Sequence, residues 1–397
     1  MTAETRDRGV EVEFFGCSGD IDESLWSLCF PAPLEGRFWY RALEASGLED
    51  QFTFLYALIR VGGEPAGIAP CFVHDVAIAI VAPRPVALAI RIASVVFPRA
   101  GLQRTLFVGS PCSDEGTIGL LPGVRLSGVA AGLGEALLRE ARRRGASMIV
   151  FKDFPEAGLD GLDGLSRGRG LFRVVSYPGT RLALPGPDVD AYLRALSAMR
   201  RHNFRKKIRR SREQMELETT VVQRPPDTVL REVDRLFQQT FEKGRTKFER
   251  LGPEFFRAIG GEDPAHFILL RNPATGELLA FMLVFCVGPR VINKFIGIDY
   301  RAAPGAYLYF RLFDAALRFA YARGATELQS GQTGYRAKLD LGHEPVPLFN
   351  LARHRNRVVN AVYRAIASRV SWETLDKDLA VFLLAHPECQ TRPKPTT

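Results

Sequence analysis

The chain lacks the signatures of a metal or disulfide protein. Its six cysteines, at positions 17, 29, 71, 112, 286 and 389, include no CxxC pair, and no histidine pair sits at zinc-finger spacing. That pattern predicts reduced, mostly buried thiols and no bound metal. A membrane span is also missing. The most apolar stretch, Val76 to Pro98, is cut by Pro83-Arg84-Pro85 and again by Arg91, whereas a spanning helix needs about 20 uninterrupted apolar residues. Met1 to Glu13 is charged and has no apolar h-region, so a secretory signal is not expected. These absences predict a cytoplasmic protein, with any membrane contact peripheral on the inner membrane. Only the tail 391–397 reads as disordered.

What is present is ordinary for a globular chain: 397 residues, 46% apolar and 24% charged, which predicts two domains. Twenty-seven phenylalanines are unusually many. The formal charge of +9 is concentrated in one place. Eight of the fourteen residues from Met199 to Arg212 are Arg or Lys, and without them the formal charge falls to +1. The basicity is therefore a local device. Phe204 and Ile208, at i and i+4, keep one stripe of that segment for a core.

The chain repeats itself. Residues 138–147 read LREARRRGAS and residues 317–326 read LRFAYARGAT, six of ten identical. Each predicts an amphipathic helix stopped by a glycine, Gly145 or Gly324, and followed by a strand. Upstream of each lies a predicted hairpin: Phe54–Arg60 with Ala66–Val73, and His266–Arg271 with Leu278–Val287. Further strands are expected at Thr105–Val108 and Val291–Ile298. Helices are expected at about 39–46, 128–144, 189–215, 229–243, 253–259 and 305–323. The fold class is thus α/β (α+β): two similar domains in tandem, each a mixed sheet flanked by helices. The first is placed at 1–180 with an apolar insertion at 76–105. The second is placed at 188–390 with a basic helix at 199–212, the join lying in the Pro- and Gly-rich stretch 178–187.

This element order resembles the GNAT fold, and two copies in tandem resemble the FemAB and CelD-like acyltransferases, a group that takes in bacterial ceramide synthases. The local match lies in the second half: Leu196-Ser197, the spaced cations Arg201 to Arg209, Phe237 to Arg245, Ile298-Asp299-Tyr300, and Gly331 to Gly342. The resemblance implies an enzyme that transfers an acyl group to an amine, with acyl-CoA or acyl carrier protein as donor. The other branch of the family implies an aminoacyl-tRNA-dependent ligase acting on a cell-envelope precursor. A binding protein with degenerate GNAT domains is the non-catalytic alternative.

Acyl transfer to an amine needs a base, a stabilised oxyanion and a protonated leaving group. In FemAB relatives a Lys in a Gly-…-Tyr-x-x-Lys segment lies at the reacting carbonyl, which here implies Lys338, with Tyr335 as a proton donor. Candidate bases are Asp299, at the end of a strand, Glu327, His343 and His202, the last among cations that favour its neutral form. The donor phosphates of GNAT folds sit at the start of the long helix, on an Arg/Gln-x-x-Gly-x-Gly/Ala motif. Arg125, Gly128 and Ala130 fit it in half one, where a plain helix start capped by Ser127 is the alternative. Gly305 and Ala306 approach it one residue out of register in half two. Arg205 and Arg209 on the basic helix are expected to meet carrier phosphates or anionic lipid, or else to form a solvated face paired with Glu213, Glu216 and Glu218. The apolar insertion, with Arg84, Arg91 and Arg99, the basic amphipathic stretch 358–372 and the phenylalanines favour a lipophilic amine acceptor, of which a sphingoid base is the concrete case.

Overall fold

The computed structural model describes residues 9–31, 36–77, 101–162, 165, 170–244, 250–301 and 305–389. Most of the apolar insertion expected at 76–105, including Arg84, Arg91 and Arg99, lies outside the described residues, as does the tail at 391–397.

Fifteen strands occur among the described residues: β1 (Val10–Phe15), β2 (Thr53–Val61), β3 (Glu64–Ala77), β4 (Leu102–Val108), β5 (Gly119–Leu120), β6 (Met148–Pro155), β7 (Phe172–Val175), β8 (Gly179–Ala183), β9 (Glu218–Val222), β10 (Ala265–Arg271), β11 (Leu278–Val287), β12 (Arg290–Ile298), β13 (Glu327–Ser330), β14 (Glu344–Val346) and β15 (Leu348–His354). They form two sheets. One runs β1-β2-β3-β4-β6-β15-β7, with β5 beside β3; the other runs β9-β10-β11-β12-β13-β8-β14. Position by position the two are the same. Each is antiparallel except at one ladder, β4 with β6 and β12 with β13. A parallel pair needs a crossover, and in both sheets it is the long helix of the repeat, Leu126–Arg143 or Leu308–Ala322. The two helices also end alike. Gly145 and Gly324 are left-handed, at φ +70 and +67. The next residue, Ala146 or Ala325, donates its N–H back to Ala141 or Ala320 at 2.8 and 2.9 Å. A glycine permits this close at no steric cost. The mixed α/β fold class read from the sequence is the one observed.

The chain divides into two compact units whose members are not contiguous. The first takes β1 to β7 and, from the far end of the sequence, β15 and the helices after it. The second takes β8 to β14 and the helix Arg37–Glu44. Three features thus depart from boundaries at 180 and 188. The stretch expected to be a linker contains β8, whose alternation of buried Thr180 and Leu182 with exposed Arg181 and Ala183 fills the gap beside β13. The helix expected to lead the first half packs in the second unit, because its aromatic face needs a partner: Trp39 is fully buried, with Phe255 and Phe285 rings 5.8 and 6.0 Å away. Third, β15 lies between β6 and β7.

In the second unit β10 and β11 are buried along almost their whole length, as strands covered on both faces should be. One face packs on the long helix through Leu312, Phe313, Ala316 and Leu317. On the helix Asp227–Lys243, Phe237 joins Phe255, Phe256, Phe281 and Phe295, ring to ring at 5.3 to 5.8 Å. Much of the phenylalanine excess therefore goes into packing, and so does not itself argue for a lipophilic substrate.

Candidate active site

In the second unit the parallel ladder runs from Arg290 with Glu327 to Asn293 with Ser330 and stops there. β12 continues to Ile298, and from Phe295 onward its only sheet partner among the described residues is β11. The break coincides with an irregularity: Leu283 and Val284, adjacent on β11, face Phe295 and Asn293, so that Lys294 is the extra residue of a bulge. Bulges bend a strand and raise its twist. The two central strands therefore part at Ser330. Gly297 lets the far half of β12 press against the helix Asp227–Lys243, since a Cβ there would stand 2.7 Å from the backbone of Leu236.

The segment after β13 folds back over this point. Thr333 and Gly334 are both left-handed, at φ +66 and +62, and they start the short helix Tyr335–Asp340. A left-handed threonine costs about 1–3 kcal/mol and tends to occur where function holds the backbone. Tyr335 is fully buried and its hydroxyl donates to the Pro178 carbonyl at 2.8 Å. Lys338 is 9% exposed. Its ammonium donates to the carbonyls of Gly331 and, at 3.3 Å, Gln332. Thr180 Oγ1 donates to the carbonyl of Ser330 and lies 3.3 Å from that of Gly331.

His343 and Ser330 are buried beneath this loop. Nδ1 of His343 lies 3.1 Å from the Lys338 carbonyl and Nε2 lies 3.2 Å from Ser330 Oγ. A carbonyl can only accept, so Nδ1 carries the proton and Nε2 accepts from the serine hydroxyl. Burial, with the Lys338 charge second, pushes the His343 pKa down to about 3. As a candidate base His343 is therefore corrected: it does not take up a proton near neutral pH, and it orients Ser330 instead. Ser330 was missed because nothing in the sequence distinguishes it; only the fold brings it to His343.

The start of the long helix forms the second part of the site. Gly305 is left-handed at φ +88, beside the Gln214 side chain. Ala306 is buried, and the left-handed Tyr307 (φ +50) caps the helix. In the first turn, Nη1 of Arg311 is buried with no hydrogen-bond partner among the described residues. Burial lowers the Arg311 pKa, and the charge of Arg212 lowers it further. Two guanidinium groups that repel each other beside a helix N-terminus suit an anion. Arg311 was also missed, because on the sequence it is one arginine inside an apolar helix.

The remaining predicted residues fall as follows. Asp299 is buried; its Oδ1 accepts the Arg301 N–H at 2.9 Å and its Oδ2 faces Arg235 at 3.4 Å. Glu327 faces Arg181 at 3.6 Å. The expected helix at 189–215 is broken at Leu196-Ser197 into Val189–Ala195 and Ala198–Gln214. On the second piece His202, Arg205 and Arg209 are exposed, whereas Phe204 and Ile208 are buried as expected. Of the three glutamates offered as partners, Glu213 stands 3.7 Å from Arg209. Other cations of this helix have structural tasks. Arg201 donates to the Leu196 carbonyl at 3.0 Å, and Lys207 lies 4.0 Å over the Phe310 ring. In the first unit, Arg125 is itself the N-cap of Leu126–Arg143, with no side-chain cap, which corrects the role given to Ser127. Gly128 is exposed, with nothing near its missing side chain, and Ala130 is buried against the core.

Residues 198–339, all within the second unit, match a family model described as an acetyltransferase (GNAT) domain. No curated protein matches the chain. Among solved structures, FemX is similar at 10% identity and TM-score 0.54, covering 88% of this chain and 99% of that one. A conserved protein of unknown function from Bacteroides thetaiotaomicron VPI-5482 is similar at 11% identity and TM-score 0.52, covering 87% and 100%. A tandem GNAT protein from the clavulanic acid biosynthesis pathway is 14% identical, with TM-score 0.46 over 87% and 99%. At such identities the first two structures, with TM-scores above 0.5, speak for the fold alone, and the matched segment speaks for the chemistry. The second unit carries a GNAT-type domain, and the chain is an acyltransferase.

Proposed function

We propose that the second unit holds the acyl-transfer centre, at the point where β12 and β13 part, and that the enzyme moves an acyl group from acyl-CoA to the amine of a lipophilic acceptor. The observation that carries this reading is the coincidence of three features at Ser330: the end of the parallel ladder, the bulge at Lys294 and the Lys338-braced loop. The strand edge that β13 leaves offers backbone N–H groups to the thioester carbonyl as it gains negative charge. The amine attacks that carbonyl, a C–N bond forms, the C–S bond breaks, and the thiolate leaves to be protonated. Asp299 is the proposed acceptor of the ammonium proton. Lys338, held against the carbonyls of Gly331 and Gln332, fixes the loop and places a positive charge beside the reacting carbonyl. Tyr335 anchors the same loop through Pro178. Arg311, Arg212 and the backbone at Gly305-Ala306 are the proposed seat of the donor phosphates. A lipophilic acceptor would reach a cytoplasmic enzyme of this kind from a bilayer that the chain touches peripherally.

A second reading has one observation behind it. The helix Ala198–Gln214 exposes His202, Arg205, Arg209 and Arg212 to solvent, a cationic face that also suits an aminoacyl-tRNA donor.

The test is amide formation from long-chain acyl-CoA and a long-chain amine, followed by mass spectrometry. Wild type should turn over. Lys338→Met should lower kcat about 10²-fold, the scale of losing one group that stabilises an oxyanion. Arg311→Met should raise the KM for the donor with little change in kcat. Unchanged kinetics in both variants would remove the assigned site. Activity that disappears with RNase and needs charged tRNA would move the assignment to the second reading.

A further inference from the structure

We infer that the helix Arg357–Ala367 is a docking surface for a bilayer containing anionic lipid. The helix belongs to the first unit, where it packs on β7 and β15. Its inner side is fixed by Asn360, whose amide donates to the Gly170 carbonyl at 2.8 Å and accepts the His354 N–H at 2.7 Å. Ala367 is buried below it. The outer side carries Val358, Ala361, Val362 and Ala365, spaced i, i+3, i+4 and i+7, all exposed. Val358 is 73% exposed and Val362 54%. In the same unit, the later helix Lys377–Ala385 exposes Val381 and Leu384, at 58% and 86%. Val358 and Val362, two of the nine exposed large hydrophobics among the described residues, thus stand one turn apart on one helix face, and with Ala361 and Ala365 they make a continuous apolar row and not scattered surface residues.

The charge around this stripe selects the occupant. Arg355, Arg357 and Arg369 are exposed along or beside the helix, and Arg364, also exposed, donates from Nη2 to the Gly170 carbonyl at 3.2 Å. Between Pro345 and Trp372 there are five arginines and no aspartate or glutamate. Of the acids near the underlying strands, Glu156 is held by Arg173 at 3.1 Å, Asp153 is buried and accepts from the Ser176 hydroxyl, and Asp376 caps the helix Lys377–Ala385. A shallow row of valine and alanine offers little to a protein partner, whose contact centres are usually aromatic. It does fit the boundary between headgroups and acyl chains, where small apolar side chains enter and guanidinium groups reach lipid phosphates. Each basic residue near such a surface adds to the attraction. The inference deepens the lipophilic-acceptor reading by saying where the chain meets the membrane. Its test reads binding and not turnover, so either can fail without the other.

Full-length protein is sedimented with vesicles of phosphatidylcholine alone and of phosphatidylcholine with phosphatidylglycerol. Wild type should bind only the vesicles with phosphatidylglycerol, and release as salt is raised. Val358→Asp with Val362→Asp, and separately Arg357→Glu with Arg369→Glu, should each lower the bound fraction about tenfold or more, with circular dichroism and gel-filtration position like wild type. Wild type that binds neither vesicle, or both equally, overturns the proposal, as do variants that bind like wild type. A wild-type dimer that Val358→Asp with Val362→Asp converts to monomer assigns the face to a second copy of the chain and also overturns it.

Discussion

Burial and the adjacent Lys338 keep the His343 imidazole neutral down to about pH 3, and this neutrality is linked to folding. In the unfolded chain a histidine takes up its proton near pH 6.5. Between that value and about 3 the unfolded state therefore binds the extra proton and the folded state does not. Stability must fall as pH falls through this window, and it is unaffected above it. From pH 7 to pH 5 the loss from this one residue is about 2 kcal/mol. Burial lowers the pKa of His266 and His354 as well, in the same direction. Urea unfolding at pH 7 and pH 5 checks this. A His343→Gln variant should show a difference between the two pH values about 2 kcal/mol smaller than wild type. An equal difference in both proteins would mean that Nε2 is wet and the Ser330 contact is not maintained.

At the scale of elements, β12 carries the demanding geometry. It must bend at Lys294, part from β13, and lie close on the helix Asp227–Lys243 at Gly297. A single methyl group at Gly297 has nowhere to go, because it would meet the Phe281 ring and, even if that ring gave way, the backbone of Leu236 at 2.7 Å. Gly297→Ala should cost about 1–3 kcal/mol, the usual penalty for overpacking, and thermal unfolding would record it. The change should also alter the approach of β12 to the site and so reduce activity more than stability alone explains. The elements themselves were largely legible in the sequence. Both hairpins, both long helices and their glycine stops carry strong local patterns, and each was found within a few residues. The bulge was not legible, since Asn293-Lys294-Phe295 reads as ordinary strand and only the register with β11 exposes the extra residue. Tyr335 and Lys338 stood out by motif. Ser330 and Arg311 did not, because their significance lies in a neighbour reached only through the fold.

At the scale of the whole molecule, the sequence conceals how membership is divided. β8 and β15 are short, and each follows a stretch that looks like a connector. Pairing partners more than 140 residues away leave no local mark: β8 joins β13, and β15 joins β6. A cut at the apparent join would therefore not free two domains. A fragment ending at 187 would carry β8 without its neighbours β13 and β14 and would lack β15. A fragment beginning at 188 would have the opposite deficit. Each fragment expressed alone should aggregate or stay unfolded by circular dichroism, whereas coexpression should recover soluble material in which the two copurify. Two separately soluble, cooperatively folding fragments would contradict the exchange.

β15 also sets a timetable for synthesis. While a ribosome makes this chain from its first residue onward, β6 and β7 emerge early, yet they have no ladder with each other, because β15 is the strand that joins them. Until His354 has left the exit tunnel, the edge of β6 that β15 will cover stays open. Exposed strand edges of that kind invite wrong pairing. The first unit is thus completed only after the whole of the second has been translated, and the newborn chain depends on β15 following quickly or on being shielded in the meantime.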